Sequence, residues 1–120
     1  MLIEAQAYFR MRLCEHLFVT SQASPSTRFR RALETRSVFL AELSAKEMGH
    51  VPLDDAVGLL LLYAEREPAK LERAALRWLQ RLVVEREDVT LGELQLAAAA
   101  LAQLPAHSEA AEILRRLAGK

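Results

Sequence analysis

The chain has 120 residues, of which 52% are hydrophobic and 27% charged, with four glycines and four prolines. This balance excludes a disordered chain, a collagen-like repeat and a loop-rich secreted scaffold, and the length suits one domain with a buried core. Sixteen basic and sixteen acidic residues cancel, so the overall charge favours neither a nucleic acid nor a membrane surface as a partner.

The sequence predicts a cytoplasmic protein. No stretch reaches the roughly 18 uncharged apolar residues that a membrane-spanning helix requires. The apolar stretch 1–19 contains charged residues and has no small-residue cleavage site, so it does not resemble a signal peptide. The one cysteine, Cys14, cannot form an internal disulfide, which is typical of a reducing compartment.

The first two predicted helices come from apolar periodicity and capping residues, since almost every segment has a helical period and none alternates over the length of a strand. The first helix is predicted over Leu2–Val19. The second begins at Pro25 behind the N-cap Ser24 and continues to Met48, where Gly49 supplies the left-handed residue that ends it.

The third and fourth predicted helices both begin at prolines. Pro52 opens the third helix, which ends near Arg66 because Pro68 disfavours helix in the residue before it. Pro68 itself opens the fourth helix, which continues to about Arg86.

The last two predicted helices are marked by polar caps. Thr90 and Glu93 form a capping box for the fifth helix, which ends before Pro105. His107 or Ser108 caps a short sixth helix that ends near residue 119. The chain is therefore predicted to be all-α, a single-domain bundle of about six helices over residues 1–120.

The third helix is predicted to be the buried centre of this bundle. Its run 59–62 places leucines on every side of one turn, and a helix that is apolar all round is buried. Leu61→Ala is therefore expected to cost about 2–5 kcal/mol. Gly58 lies in mid-helix, which predicts the close approach of another backbone, and the alanine run 97–100 of the fifth helix is the expected neighbour.

A basic stripe is predicted on the fourth helix, opposite the side that carries Trp78 and Leu82. At about 100° per residue, its four cations lie within roughly 80° of one another, with no acid among them. They are Lys70, Arg73, Arg77 and Arg81. The stripe is either a binding surface for an acidic partner or a phosphate backbone, or a solvated face paired with acids of neighbouring helices. Interleaved surface aromatics and a helix-turn-helix spacing, which mark nucleic-acid readers, are not recognisable.

A second basic cluster, near the start of the predicted second helix, consists of Arg28, Arg30, Arg31 and Arg36. Cations close to a helix N-terminus oppose the helix dipole, which favours an anionic partner over a purely structural role. Arg28 and Arg31 are the candidate anion- or partner-binding residues.

Two arginines are predicted to form a buried polar seam. Arg10 and Arg36 each project from an apolar face of their predicted helices, and a buried arginine needs a partner. The partner is expected to be one of the acids Glu47, Asp54, Asp55 and Glu72. The alternatives are a side chain whose charged end reaches water and a polar binding seam.

Catalytic, cofactor and metal sites are not predicted. The histidines His16, His50 and His107 are far apart in sequence, and Cys14 points away from His16 on a helix. Metal-ligand pairs, nucleophile motifs and a glycine-rich phosphate loop are not recognisable in the sequence.

The stretch Tyr63–Trp78 (YAEREPAKLERAALRW), preceded by Arg36–Leu43 (RSVFLAEL), resembles a group of small uncharacterised helical proteins from GC-rich actinobacteria. The resemblance covers the middle and later parts of the chain. It implies a compact, non-secreted bacterial module and brings over no site residues.

These observations predict a non-enzymatic cytoplasmic protein that binds another macromolecule, most simply a protein. Nucleic-acid binding through the basic stripe is the alternative, and a small-ligand pocket or active site lined by Arg10 and Arg36 is a third possibility. Because the first predicted helix is apolar over more than half its circumference, it is either buried on two sides or forms a subunit contact. Self-association is therefore left open.

Overall fold

The computed structural model describes residues 23–104 and 108–119. These ranges contain six α-helices and no strand, which confirms the predicted all-α fold. The helices are α1 (Pro25–Glu34), α2 (Val38–Met48), α3 (Leu53–Arg66), α4 (Leu71–Glu85), α5 (Leu91–Ala102) and α6 (Ser108–Gly119). The predicted first helix, with Arg10, and the residue His107 lie outside the described residues. Among the described helices, none has the length and apolar character that crossing a membrane requires.

The prediction of one continuous second helix from Pro25 to Met48 is wrong. The chain turns at residues 35–37 and forms two helices, α1 and α2. Arg36 adopts a left-handed φ of 61°. The amides of Arg36 and Ser37 donate to the carbonyl oxygens of Leu33 (3.2 Å) and Ala32 (2.9 Å), a bond pattern that commonly ends helices. The Ser37 hydroxyl then caps α2. No glycine or proline marks this turn in the sequence.

The predicted burial of Arg36 is also wrong. Its side chain is 51% exposed and forms an ion pair with Glu65 of α3, which was not among the expected partners. The turn between α1 and α2 removes Arg36 from the apolar face on which a continuous helix would place it. A buried pocket lined by Arg36 therefore has no basis in the fold.

The prediction that the third helix is central is confirmed. One side of α3, with Leu53, Val57 and Leu60, packs into a core shared with α4, α5 and α6. Another side, with Leu62 and Tyr63, packs into a second core with α1 and α2. Two cores on opposite sides explain why α3 is apolar around most of its circumference.

The expected neighbour of Gly58 is wrong. A Cβ atom at this position would lie 2.7 Å from Cδ1 of Leu33, so the close neighbour is a side chain of α1 and not the backbone of α5. The small residues Ala97 and Ala100 of α5 are instead buried in the core that α5 shares with α4 and α6.

Helix α4 is fixed against α3 by a hydrogen bond from the buried indole Nε1 of Trp78 to the carbonyl oxygen of Leu53, at 2.9 Å. It begins later than predicted, because Pro68–Lys70 form a single 3₁₀ turn and the α-helix starts at Leu71. The short connection from α4 leads into α5, which packs beside α4 and α6.

The start of α5 matches the predicted capping box. The Thr90 hydroxyl accepts a hydrogen bond from the Glu93 amide at 3.1 Å, and the Glu93 carboxylate accepts one from the Thr90 amide at 3.2 Å. This box fixes the residue at which α5 begins.

Candidate partner-binding surface

A long apolar groove runs between α4 and α5. Its lining comes from one face of each helix, since the residues follow an i, i+3, i+7 spacing on both. These residues are Leu76, Leu79 and Val83 of α4 and Leu91, Leu94 and Ala98 of α5, with Gln80 and Gln95 at the rims. This part of the groove encloses about 430 Å³. We refer to it, with its continuation described next, as the α4–α5 groove.

The groove continues toward the start of α4. An adjoining cleft of about 340 Å³ shares Leu76, Leu79 and Ala98 with the first part, and Glu72 lies along it. Between the first lining residue of α4, at position 71, and the last, at position 83, the helix rises about 18 Å. The α4–α5 groove is therefore long enough to accept about three turns of another helix.

Several large apolar side chains of the groove are open to solvent. Leu91 is 74% exposed and Leu76 is 59% exposed. A contiguous exposed apolar surface of this kind marks an interaction site more often than scattered apolar residues do. Val84 is 75% exposed but does not line the groove, so it provides a matched comparison.

Sequence reasoning missed this groove. The signal that could have revealed it is the presence of Leu76, Val83 and Val84 on α4 outside the apolar stripe centred on Trp78 and Leu82. The packing of α4 against α5 determines which of these residues share a surface with α5. The periodicity of α4 alone gives no information on that packing.

The two ends of the predicted basic stripe are paired with neighbouring groups. Lys70 Nζ lies 2.9 Å from Glu42 Oε2 of α2 and 3.1 Å from Glu67 Oε1. At the other end, Arg81 Nε donates to Glu85 Oε2 at 2.8 Å.

The Arg81 guanidinium also reaches the connection between α2 and α3. Its Nη2 donates to the carbonyl oxygen of Val51 at 2.6 Å. The surface residue His50 has its Nε2 3.3 Å from the same Arg81 nitrogen. The outer two cations of the stripe thus have structural roles.

The two middle cations of the stripe, Arg73 and Arg77, are exposed and form no ion pair with any residue in the described ranges. At 100° per residue, Arg73 lies about 60° around the helix from Leu76, and Arg77 about 60° from Gln80. Arg73 therefore stands directly outside the α4 rim of the groove, and Arg77 stands a further turn of about 40° around the helix on the side of α3, where both arginines line a small cleft with Tyr63.

On its other side, this arginine pair borders a polar cluster around Tyr63. Tyr63 Oη donates to Glu42 Oε2 at 2.6 Å, and Lys70 donates to the same oxygen. The hydrogen bonds from Tyr63 and then from Lys70 lower the pKa of Glu42. Burial, followed by the hydrogen bond to Glu42, raises the pKa of Tyr63. Both shifts lead away from neutral pH, so these groups hold fixed protonation states and are not poised for proton transfer.

The second basic cluster does not have the predicted arrangement. Arg28 is half-buried, pairs with Glu47 of α2 and donates to the carbonyl oxygen of Ala23 at 3.0 Å. Arg31 is exposed, but because α1 ends at Glu34, it stands in the last turn, where the helix dipole stabilises a cation. The dipole argument for an anionic partner is therefore wrong for Arg31.

A further cleft of about 510 Å³ lies between α2 and α3. Phe39, which is 72% exposed, lines it together with Leu43 and Tyr63. Unlike the α4–α5 groove, this cleft also contains charges of both signs, from Glu42 and Lys46. Among the side chains that the structure describes, no three histidine, cysteine, aspartate or glutamate residues are grouped as metal ligands.

No protein-family model, curated protein or solved structure matches this chain. The resemblance to small actinobacterial helical proteins therefore remains a prediction from the sequence.

Proposed function

We propose that this protein is a non-enzymatic binding module that accepts an apolar helix of a partner protein in the α4–α5 groove. The observation that carries this proposal is the groove itself, about three helical turns long, lined by apolar side chains and open to solvent at Leu76 and Leu91. Amphipathic helices commonly bind in grooves between two helices, with side chains at i, i+3, i+4 and i+7 as anchors.

The energetics favour a protein partner for this surface. Burying a leucine side chain completely contributes about 1.5–3 kcal/mol, and Leu76 and Leu91 both retain more than half of their surface to bury. Among the described side chains that line the central part of the groove, Gln80 and Gln95 are polar and none is charged, so docking there would leave no lining charge buried without a partner. Nucleic acid remains the alternative partner through the basic stripe, in which Arg73 and Arg77 form no ion pair with a residue of the described ranges.

The proposed setting is the cytoplasm of a bacterium, as the sequence predicts.

A second copy of the chain is the simplest alternative occupant of the groove. Sedimentation of the purified protein as a concentration-dependent dimer, abolished by Leu91→Glu but not by Val84→Glu, would assign the groove to self-association instead.

The test is site-specific photo-crosslinking in the native cell. A photoreactive residue at position 91 is expected to yield a discrete adduct with one partner protein, whereas the same residue at position 84 yields none, although Leu91 and Val84 are equally exposed. The purified partner should then bind the parent chain and the Val84→Glu variant equally, and the Leu76→Glu/Leu91→Glu variant at least about tenfold more weakly. Equal adducts from both positions would contradict the proposal.

A further inference from the structure

We propose that the partner helix carries acidic residues along the flank that faces Arg73 and Arg77. This inference rests on the proposed function, and it specifies the charge pattern of the partner. Its basis is the uneven neutralisation of the basic stripe, in which the outer two cations form ion pairs and the middle two form none with the residues that the structure describes.

The arginine pair is unfavourable in the free protein. Like charges four residues apart on a helix repel one another, and no described acid lies in ion-pair contact with either guanidinium. The nearby carboxylates already form ion pairs with the outer two cations of the stripe. Glu42 and Glu67 bind Lys70, and Glu85 binds Arg81. An anion supplied from outside would remove this repulsion.

The spacing of the pair fits carboxylates on a helix. Arg73 and Arg77 are four residues apart and therefore about 6 Å apart along α4. Acids at i and i+4 of a helix that lies along the groove have the same separation. Each guanidinium can bind a carboxylate through two parallel hydrogen bonds.

The position of the pair connects charge recognition to the groove. Arg73 lies about 20° around the helix from Gln80 at the rim, and Arg77 lies about 60° from it. A helix seated in the groove would bring its α4-side flank next to Arg73, and the long side chain of Arg77 can extend to the same flank. The opposite rim, on α5, carries the neutral Gln95. Glu72 lies in the groove near the start of α4, so the matching end of the partner helix should be neutral or basic. The expected partner is thus acidic on one flank only.

The test uses three designed helical peptides with the same leucine face, whose α4-side flank carries glutamate, glutamine or lysine. Binding to the full chain is measured by fluorescence anisotropy at low and high salt. The glutamate peptide should bind about 3- to 30-fold more tightly than the glutamine peptide at low salt, because two exposed ion pairs contribute modestly. This advantage should shrink at high salt, where exposed charges are screened.

Variants of the chain assign the effect to the two arginines. Arg73→Gln/Arg77→Gln should erase the preference for glutamate, and Arg73→Glu/Arg77→Glu should transfer it to the lysine peptide. The control Arg115→Gln/Arg116→Gln, which removes two exposed arginines of α6, should leave the preference unchanged.

The remaining outcomes separate the two proposals. Equal affinity for all three peptides, lost in Leu91→Glu, would overturn the acidic flank and leave the groove as a helix site. Binding of none of them at about 100 μM, a concentration that detects even weak association, would overturn both. Tighter binding of a duplex oligonucleotide than of the glutamate peptide, abolished by Arg73→Gln/Arg77→Gln, would assign the arginines to phosphates and overturn this inference.

Discussion

The guanidinium of Arg86 donates a hydrogen bond to the carbonyl oxygen of Leu117 at 3.2 Å, which joins the end of α4 to the last turn of α6. The same group donates to Asp88 Oδ1 at 2.9 Å and to Glu93 Oε1 at 3.2 Å, and its side chain is only 7% exposed. The buried Arg86 guanidinium thus supplies a hydrogen-bond donor to the Leu117 carbonyl oxygen near the C-terminus of α6. Carbonyl groups in the last turn of a helix have no donor within the helix. Because Glu93 also belongs to the capping box of α5, Arg86 holds one end of the α4–α5 groove in place.

Arg86→Leu should lower the melting temperature by at least about 5 °C, because it leaves Glu93 and the Leu117 carbonyl without their shared donor. Arg86→Lys should recover only part of the loss, since an ammonium group cannot reproduce the forked geometry. Arg115→Leu, at an exposed position of α6, is the control. Melting curves followed by circular dichroism provide the measurement, and a melting point for Arg86→Leu equal to that of the control would show that this arginine does not hold the three helices together.

Leu82→Ala should cost about 2–5 kcal/mol of unfolding free energy, because this side chain of α4 is fully buried in the core that α4 shares with α3, α5 and α6. Leu61→Ala should cost about 1 kcal/mol, since Leu61 is only partly buried at the margin of the same core. Urea unfolding measures both. Equal costs for the two variants would restore Leu61 to the core position that the sequence predicts.

Arg36→Gly should stabilise the fold by about 1 kcal/mol through the backbone, because Arg36 adopts a left-handed conformation that glycine accepts without strain. Loss of the exposed ion pair with Glu65 offsets this gain by about 0.2–1 kcal/mol. The comparison is therefore made in a Glu65→Gln background, where only the backbone effect remains. A double variant less stable in urea than Glu65→Gln alone would refute the left-handed turn.

The fold should lose stability as the pH falls below about 4.5. Hydrogen bonds from Tyr63 and Lys70 lower the pKa of Glu42 below its ordinary value of 4.5, and the hydrogen bond from Arg81 lowers that of Glu85. Each carboxylate therefore contributes stability above pH 4.5 that is lost as the pH falls through the lowered pKa of the folded state.

Glu42→Gln should flatten the acid branch of the pH–stability curve, because glutamine can still accept from Tyr63 but does not titrate. Chemical unfolding between pH 3 and pH 7 gives the curve, with the exposed Glu87→Gln as control. An unchanged slope in Glu42→Gln would mean that this carboxylate is not held ionised by its two donors.

If nucleic acid is the partner instead, binding should depend only weakly on salt. The four cations of the stripe would give a slope of log affinity against log salt near −3.6 for a duplex, at about 0.9 per phosphate contact. With Lys70 and Arg81 engaged in ion pairs, we expect about two contacts and a slope near −1.8. A gel-shift titration over a range of salt measures this slope, and a value near −3.6 would show that all four cations contact phosphates.

Elements whose signals are local could be predicted from the sequence. The all-α class and the approximate limits of α3, α5 and α6 follow from apolar periodicity, from Pro52 and from the Thr90–Glu93 capping box, all of which act within a few residues of the chain. The central place of α3 was also accessible, because a helix that is apolar on every side must be covered on every side.

The remaining features depend on how the helices pack against one another. The turn at Arg36 carries no glycine, so its left-handed conformation became visible only once α1 and α2 packed together. In the sequence, Arg86 is one of four consecutive charged residues at 85–88. Its hydrogen bond to the Leu117 carbonyl oxygen exists because α6 packs beside it. Likewise, a helical wheel places four cations on one face of α4, but neighbouring elements determine which of them are neutralised. Burial and ion pairing depend on groups distant in sequence. For that reason the α4–α5 groove, and the difference between the outer and the middle cations of the stripe, could be recognised only in the fold.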